Sequence, residues 1–142
     1  MTVACVAIWT ALALVQAPAN VGALPPEVQK AFEQAYPRAT ISATVPQREG
    51  NRTLFRIDSV DGGRRRVVLF DARGAVVEVA EPVEERELPK PVLAAIRSHR
   101  RAIYVSGMKV TRGRNVEYRI TVKGSRRTAM VARPDGTVVS FE

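Results

Sequence analysis

The residues of this sequence best suited to specific chemistry are its arginines. A guanidinium group stays charged at any ordinary pH, and its planar fork of N–H donors fits carboxylates, phosphates and sulfates. If neighbouring strands align them, these arginines form an anion-binding patch. The candidate binding residues are Arg56, Arg112, Arg114, Arg119, Arg126 and Arg127. The alternative is that these side chains only solvate an arginine-rich surface.

The positive charge is concentrated in the second half of the chain, although the formal net charge of the whole is +8. Residues 24–81 contain nine basic and eight acidic side chains, a net charge of +1. Residues 82–142 contain thirteen basic and six acidic side chains, a net charge of +7. A strong positive field favours acidic partners. Nucleic acid is not expected, because stacking aromatic residues make up only 6% of the chain.

The sequence offers few groups for catalysis or metal binding. Cys5 is the only cysteine and His99 the only histidine, so neither a thiolate nucleophile nor a metal site nor a cofactor is predicted. His99 takes the helix position that matches Ala35, which predicts a half-buried structural histidine. The carboxylates that could still converge for acid–base catalysis are Glu33, Glu49 and Glu117. These observations predict that the protein is not an enzyme.

The first 23 residues are typical of an export signal. Residues 3–15 carry no charge and are largely apolar, a run too short for a bilayer-spanning helix but of the right length for a signal peptide. The compact residues Val21-Gly22-Ala23 predict cleavage after Ala23, and no membrane span would remain. The alternative is a retained N-terminal anchor or a buried helix, since no basic residue precedes the apolar run. The predicted location is periplasmic or secreted.

The rest of the chain contains one helical pattern twice. Leu24-Pro25 and Leu88-Pro89 each precede a segment whose apolar residues recur at spacings of three and four. This periodicity predicts an amphipathic helix that buries one face. The stripe residues are Val28, Ala31, Phe32 and Ala35 in the first copy, and Val92, Ala95, Ile96 and His99 in the second.

Four strand-like runs follow each helix, and short turns containing glycine separate most of them. The runs are 39–45, 53–60, 66–70 and 75–80 in the first copy, and 102–110, 116–123, 128–132 and 137–141 in the second. Short turns require antiparallel neighbours. The predicted fold class is therefore α+β, with two tandem repeats of one helix and a four-stranded antiparallel meander. Side by side, the repeats would form one eight-stranded sheet with both helices on one face.

The predicted organisation is a signal peptide at 1–23, a first repeat at 24–81, an acidic linker at 82–87 and a basic second repeat at 88–142. Successive side chains of a strand point to opposite faces of the sheet. With Tyr118 and Ile120 in the core, Arg119 lies on the open face. Arg56 takes the equivalent place in the first repeat.

These motifs resemble the PepSY-like family, which is also described as beta-lactamase-inhibitor-like. The resemblance covers residues 24–142 and rests on the order, spacing and duplication of short motifs. Those motifs are Leu24-Pro25, Ala31-Phe32, Tyr36-Pro37, Asp71-Ala72-Arg73-Gly74 and Leu88-Pro89. The second copy departs from the pattern where Arg100-Arg101 stand in place of Tyr36-Pro37. The resemblance implies an exported binding or inhibitory domain rather than an enzyme.

Two functions are compatible with these observations. The first is an exported binding module that docks another exported protein through its open sheet face, as an inhibitor or accessory protein. The second is a binder of acidic polysaccharide or envelope surface that acts through the basic second repeat. Salt distinguishes them, because polyanion binding weakens as salt rises whereas an interface with an apolar centre persists.

Overall fold

The computed structural model of the protein describes residues 22–99 and 101–141. The predicted signal peptide at 1–23 lies outside these ranges, apart from Gly22 and Ala23, and stays a prediction. Neither helix within the described ranges has the length and hydropathy needed to cross a bilayer.

Two helices and eight strands follow one another in the order predicted for two repeats. The helices are α1 (Pro26–Ala35) and α2 (Lys90–Ser98). The strands of the first repeat are β1 (Thr40–Glu49), β2 (Arg52–Asp61), β3 (Arg64–Asp71) and β4 (Val76–Pro82). Those of the second are β5 (Ile103–Arg112), β6 (Asn115–Lys123), β7 (Arg127–Ala132) and β8 (Val138–Phe141). A short 3-10 helix (Glu85–Glu87) precedes α2.

All eight strands form one antiparallel sheet in sequence order, which confirms the predicted fold class. The repeats join where β4 pairs with β5, from Val79 opposite Thr111 to Pro82 opposite Met108. We call this pairing the seam. Because the seam continues the sheet without a break, both repeats contribute to the same two faces.

Register along the seam places both helices on one face of the sheet. Val79 packs against the core under α1 and is paired with Thr111. Two residues away on β5, Lys109 is paired with Tyr118, which belongs to the core under α2. Paired residues share a face, and so do residues two apart on a strand. The opposite face therefore carries no helix.

The amphipathic stripes of the two helices fill two equivalent cores. Under α1, Val28 and Phe32 are 0% and 1% exposed. Under α2, Val92 and Ile96 are 0% and 2% exposed. The sheet residues that meet these stripes are Ile57, Val68 and Phe70 in the first repeat, and Tyr118, Ile120, Val122, Met130 and Ala132 in the second. One predicted stripe residue differs: Ala35 is exposed, since it lies in the last turn of α1.

Two glycines hold the helix starts close to the sheet. Gly74, between β3 and β4, has a φ of +83°, and a Cβ there would lie 2.7 Å from the backbone oxygen of Glu27. Gly136, between β7 and β8, has a φ of +86°, and its Cβ would lie 2.7 Å from the oxygen of Pro91. Both positions therefore need glycine for backbone conformation and for space.

Strand boundaries lie within two residues of the sequence prediction except at the end of β1. β1 continues past Val45 to Glu49, because Pro46 is tolerated at a sheet edge, where its missing N–H costs no ladder bond. The predicted acidic linker at 82–87 begins in the sheet: β4 extends to Pro82, and Val83 is 8% exposed. Residues 84–87 are exposed.

Acidic side chains near this junction bind two arginines of β3. Glu87 contacts Arg64 at 3.4 Å, and Glu81 accepts a hydrogen bond of 2.7 Å from Nε of Arg66. Two of the three adjacent arginines at the start of β3 are thus paired with carboxylates at the junction of the repeats.

Candidate functional site

The helix-free face of the sheet contains two adjoining depressions. One has a volume of 620 Å³ and is lined mainly by apolar groups, among them Pro82 at the end of β4 and Val131 of β7. The other, of 480 Å³, crosses the seam and has Leu69 and Ala80 in its lining. Met108 and Arg119 line both. We call the joined depressions the open-face groove.

The floor of this groove includes apolar side chains that are buried without a covering helix. Leu54 is 1% exposed and Val110 is 4% exposed, and both line the depression at the seam. Long side chains beside them, such as those of Arg56 and Arg112, can cover apolar neighbours with their methylene stems while the charged ends reach water. The groove therefore combines an apolar floor with a charged rim.

Arg112, a predicted binding residue, is held by two carboxylates of the first repeat. Its Nη2 and Nε lie 2.9 and 3.1 Å from one carboxylate oxygen of Glu78, and its Nη1 donates to Glu49 at 3.2 Å. The Glu78 side chain is only 11% exposed. These hydrogen bonds, to Glu78 first and then to Glu49, raise the pKa of Arg112 above its ordinary value. Arg112 therefore ties the repeats together across the seam.

The other two predicted arginines of the groove differ in their pairing. Arg56 donates from Nε to Asp58, two residues along β2, at 2.8 Å. Arg119 is exposed at the centre of β6 and forms no salt bridge with any residue in 22–99 or 101–141. Of the three, Arg119 is thus the guanidinium that a partner can use without breaking an ion pair among those residues.

The prediction that the arginines of the second repeat share one patch is wrong. Arg112 and Arg114 flank the start of β6, whereas Arg126 and Arg127 follow its end. At about 3.3 Å per residue, a strand of this length separates its two ends by roughly 30 Å. Turns at the two ends of one strand cannot converge, which is why the cations divide into separate groups.

His99 is half-buried, as predicted, but not as part of the helix. α2 ends at Ser98, so His99 matches Tyr36 of the first repeat and not Ala35. Its ring stacks on Phe141, with centroids 4.0 Å apart and planes 18° apart. Within the described ranges, no three His, Cys, Asp or Glu residues are grouped as metal ligands would be.

The three carboxylates that could have formed a catalytic group do not converge. Glu33 lies on α1 and accepts a hydrogen bond from Gln29 at 2.9 Å. Glu49 lies on the opposite side of the sheet, at the open-face groove. Glu117 is on β6, paired with Val110 on that same open face. Glu33 is thus separated from the other two by the sheet.

Sequence reasoning missed the apolar floor of the groove, although one signal was present. Residues 67–70 read Val-Val-Leu-Phe without alternation. A continuous apolar run is typical of a strand that is buried on both faces. Val68 and Phe70 pack under α1, and Leu69 lines the groove. The run therefore pointed to a second apolar surface opposite the helices.

The pairing differences predict unequal stability effects for two arginine substitutions. We expect Arg112→Ala to lower the free energy of unfolding by about 1–3 kcal/mol, because it leaves the buried Glu78 carboxylate without its donor. Arg119→Ala should change it by less than about 0.5 kcal/mol, as is usual for an exposed, unpaired side chain. Urea denaturation followed by circular dichroism measures both. Equal losses for the two variants would contradict the assignment of Arg112 to the seam.

The chain is an α+β protein, and its fold is similar to that of several solved structures. A candidate periplasmic protein from Bacteroides eggerthii DSM 20697 aligns with a TM-score of 0.69 and 19% identity over 85% of this chain and 89% of that one. A BLIP-like protein from Bacteroides fragilis NCTC 9343 aligns with a TM-score of 0.63 and 23% identity over 85% and 88% of the two chains.

A DUF2874 family protein from Bacteroides uniformis ATCC 8492 shares the same architecture, with a TM-score of 0.68 and 17% identity over 83% of this chain and 88% of that one. No protein-family model matches the chain, and no curated protein matches it in sequence. The particular likeness is therefore one of fold: the chain has the fold of a BLIP-like protein.

Proposed function

We propose that this protein is an exported, non-enzymatic binding module that docks another exported protein through the open-face groove, as an inhibitor or accessory protein. The observation that carries the proposal is the continuity of the groove across both repeats, with Met108 and Arg119 common to its two depressions. An apolar centre with a polar rim is the usual anatomy of a protein interface.

The size of the open face suits a protein partner. With eight strands at spacings of about 4.8 Å, the sheet is about 34 Å wide, and its strands are mostly about 20–30 Å long. The face thus offers roughly 800 Å², which is the area that a standard interface buries on each partner. A small ligand would use only one depression.

The fold neighbours support an exported and non-enzymatic role. One is a candidate periplasmic protein and another is BLIP-like. The resemblance of residues 24–142 to the PepSY-like family supports the same role. The predicted signal peptide at 1–23 would take the chain to the periplasm or out of the cell. Membership of the PepSY-like family is part of this proposal.

A matched pair of charge substitutions tests the docking surface. Val131→Glu places a carboxylate in the groove, whereas Ala94→Glu adds the same charge to an exposed position of α2 on the other face. The mature chain and both variants would be used to capture partners from the envelope fraction, with quantitative mass spectrometry. We expect Val131→Glu to reduce capture of the main partner at least about tenfold, since an unpaired charge at an interface centre costs well over 1.4 kcal/mol.

Ala94→Glu should capture as much partner as the unmodified chain. Capture should also persist at about 1 M salt, where the Debye length is only about 3 Å. Equal capture by both variants would contradict docking at the groove. Loss of all binding at high salt would favour the second candidate, an acidic polymer bound by the basic repeat.

A further inference from the structure

The second repeat contains a small cleft on the helix side of the sheet, away from the open-face groove. It lies between the end of α2 and the turn that joins β6 to β7, and its volume is 70 Å³. Its lining includes His99, Ala102, Val122, Ser125, Arg126 and Thr128. Comparison with the first repeat shows which side chain occupies the equivalent position there.

Backbone hydrogen bonds identify the equivalent positions at the two helix ends. In the first repeat, the N–H of Ala39 donates to the oxygen of Tyr36 at 3.0 Å. In the second, the N–H of Ala102 donates to the oxygen of His99 at 2.8 Å. The same turn therefore follows each helix, and His99 stands where Tyr36 stands in the first repeat.

Strand register identifies a second equivalence. The core pair Ile57 and Val68 in the first repeat matches Ile120 and Met130 in the second. Two residues further along each hairpin, the facing pairs are Ser59–Arg66 and Val122–Thr128. Arg66 of the first repeat is therefore replaced by Thr128 in the second.

In the first repeat, the side chain of Arg66 occupies the position that corresponds to the cleft. Its guanidinium lies 4.4 Å above the centre of the Tyr36 ring, and its Nε is 2.7 Å from a carboxylate oxygen of Glu81. The Arg66 side chain is only 21% exposed. A cation with its own counter-ion thus closes the first repeat at the end of its helix.

In the second repeat, the side chain of Thr128 is shorter than that of Arg66 and leaves the cleft open. One face of the His99 imidazole is covered by Phe141, and no residue within the described ranges forms a hydrogen bond with the imidazole nitrogens. The cleft therefore brings together an imidazole, the hydroxyls of Ser125 and Thr128, and the Arg126 guanidinium.

The positive charge at the cleft is uncompensated. Arg126 lines the cleft and forms no salt bridge with another residue of the described ranges. The neighbouring pair Lys123 and Arg127 is two residues beyond Thr121 and Ala129 on the same strands, so it lies on the open face. Arg126 is therefore the cation that an anion in the cleft would meet.

We propose that this cleft binds a tetrahedral oxyanion, either free phosphate or sulfate or the same group esterified to a polymer. The donors on its walls are those that such anions accept from. A space of 70 Å³ admits a small anion, since one water needs only about 10–15 Å³ of such space. The proposal does not depend on docking at the open-face groove, because the two sites lie on opposite faces of the sheet.

Nuclear magnetic resonance titration of the mature chain with inorganic phosphate, and separately with sulfate, tests the site. We expect saturable shifts of the Ser125 and Arg126 amides and of the His99 ring. Arg126→Gln should weaken binding at least about fivefold, since it removes the charged donor of the cleft. Thr128→Leu should do the same by filling the cleft without changing the charge.

Arg65→Gln is the matched control, since it removes one exposed arginine from the equivalent hairpin of the first repeat. It should leave the phosphate affinity within about twofold of the unmodified chain, because loss of a distant exposed charge is largely screened by salt. Equal weakening by Arg65→Gln and Arg126→Gln, or shifts that do not saturate, would overturn the proposal.

Heparin, a sulfated polysaccharide, distinguishes the two sources of the anion. If heparin competes with phosphate and loses affinity in Thr128→Leu, the cleft takes an esterified anion. If heparin binding ignores Thr128→Leu while phosphate binding still depends on it, the cleft takes the free ion. Both results support the site. A Thr128→Leu variant that binds phosphate and heparin unchanged would refute it.

Discussion

Truncation of Phe32 to alanine is expected to lower the free energy of unfolding by about 3–5 kcal/mol, the usual cost of removing a buried aromatic side chain. Phe32 is 1% exposed, and its ring centre lies 5.4 Å from that of Tyr36 and 6.4 Å from that of Phe70. Removal of the ring leaves a cavity between α1 and the sheet that neighbouring strands cannot close, because their positions are fixed by hydrogen bonds.

Ile96, the equivalent residue of α2, is 2% exposed. Ile96→Ala should cost about 2–5 kcal/mol, less than the aromatic truncation because fewer atoms are removed. Chemical denaturation of both variants measures these losses, and Glu33→Ala, on the exposed side of α1, serves as the control. Core variants that stay within about 0.5 kcal/mol of the unmodified chain would show that the helices do not pack as described.

The second large effect is expected at the glycines that face the helix starts. Gly74→Ala and Gly136→Ala should each lower the free energy of unfolding by about 2–4 kcal/mol. A left-handed backbone costs an alanine about 1–2 kcal/mol. The new methyl group would also lie 2.7 Å from a backbone oxygen, of Glu27 or of Pro91, so the helix itself must move.

Gly50→Ala separates these two causes. Gly50 has a φ of +60°, but a Cβ there would meet nothing within 4 Å. Gly50→Ala should therefore cost only the strain of the left-handed backbone, about 1–2 kcal/mol. Thermal and urea unfolding of the three variants measures the difference. If Gly50→Ala were as costly as Gly74→Ala, the close approach of the helix would contribute nothing.

Local patterns were enough to predict the fold. The helix stripes of Val28 and Phe32 and of Val92 and Ile96 predicted two helices over one face, and they lie there. Short turns predicted an antiparallel meander, and the duplicated motif predicted that the repeats share a sheet. These features depend on residues close in sequence, whose periodicity is set by the helix or strand itself.

The candidate site was only partly predictable, because side-chain pairing depends on contacts between distant residues. The alternation of side chains along β2 and β6 correctly predicted that Arg56 and Arg119 lie on the open face. It could not show that Glu49 and Glu78 would hold Arg112, since these partners lie 63 and 34 residues away. The sequence alone also could not show that Thr128 and Arg66 are equivalent, because their neighbours differ in charge and size.

The proline of β1 makes it harder for another copy of this fold to join at that edge. At the seam, Gly107 accepts a hydrogen bond from Val83, so the backbone groups of Lys109, two residues on, also point towards β4. Pro46 precedes Gly50 by as many residues as Lys109 precedes Gly113, and it therefore stands at the corresponding place on the outer edge of β1. With no N–H there, a strand added to β1 would lack one ladder hydrogen bond that β5 makes with β4. The outer edge of β1 is thus a poorer acceptor for a second copy of the chain than β5 is for β4.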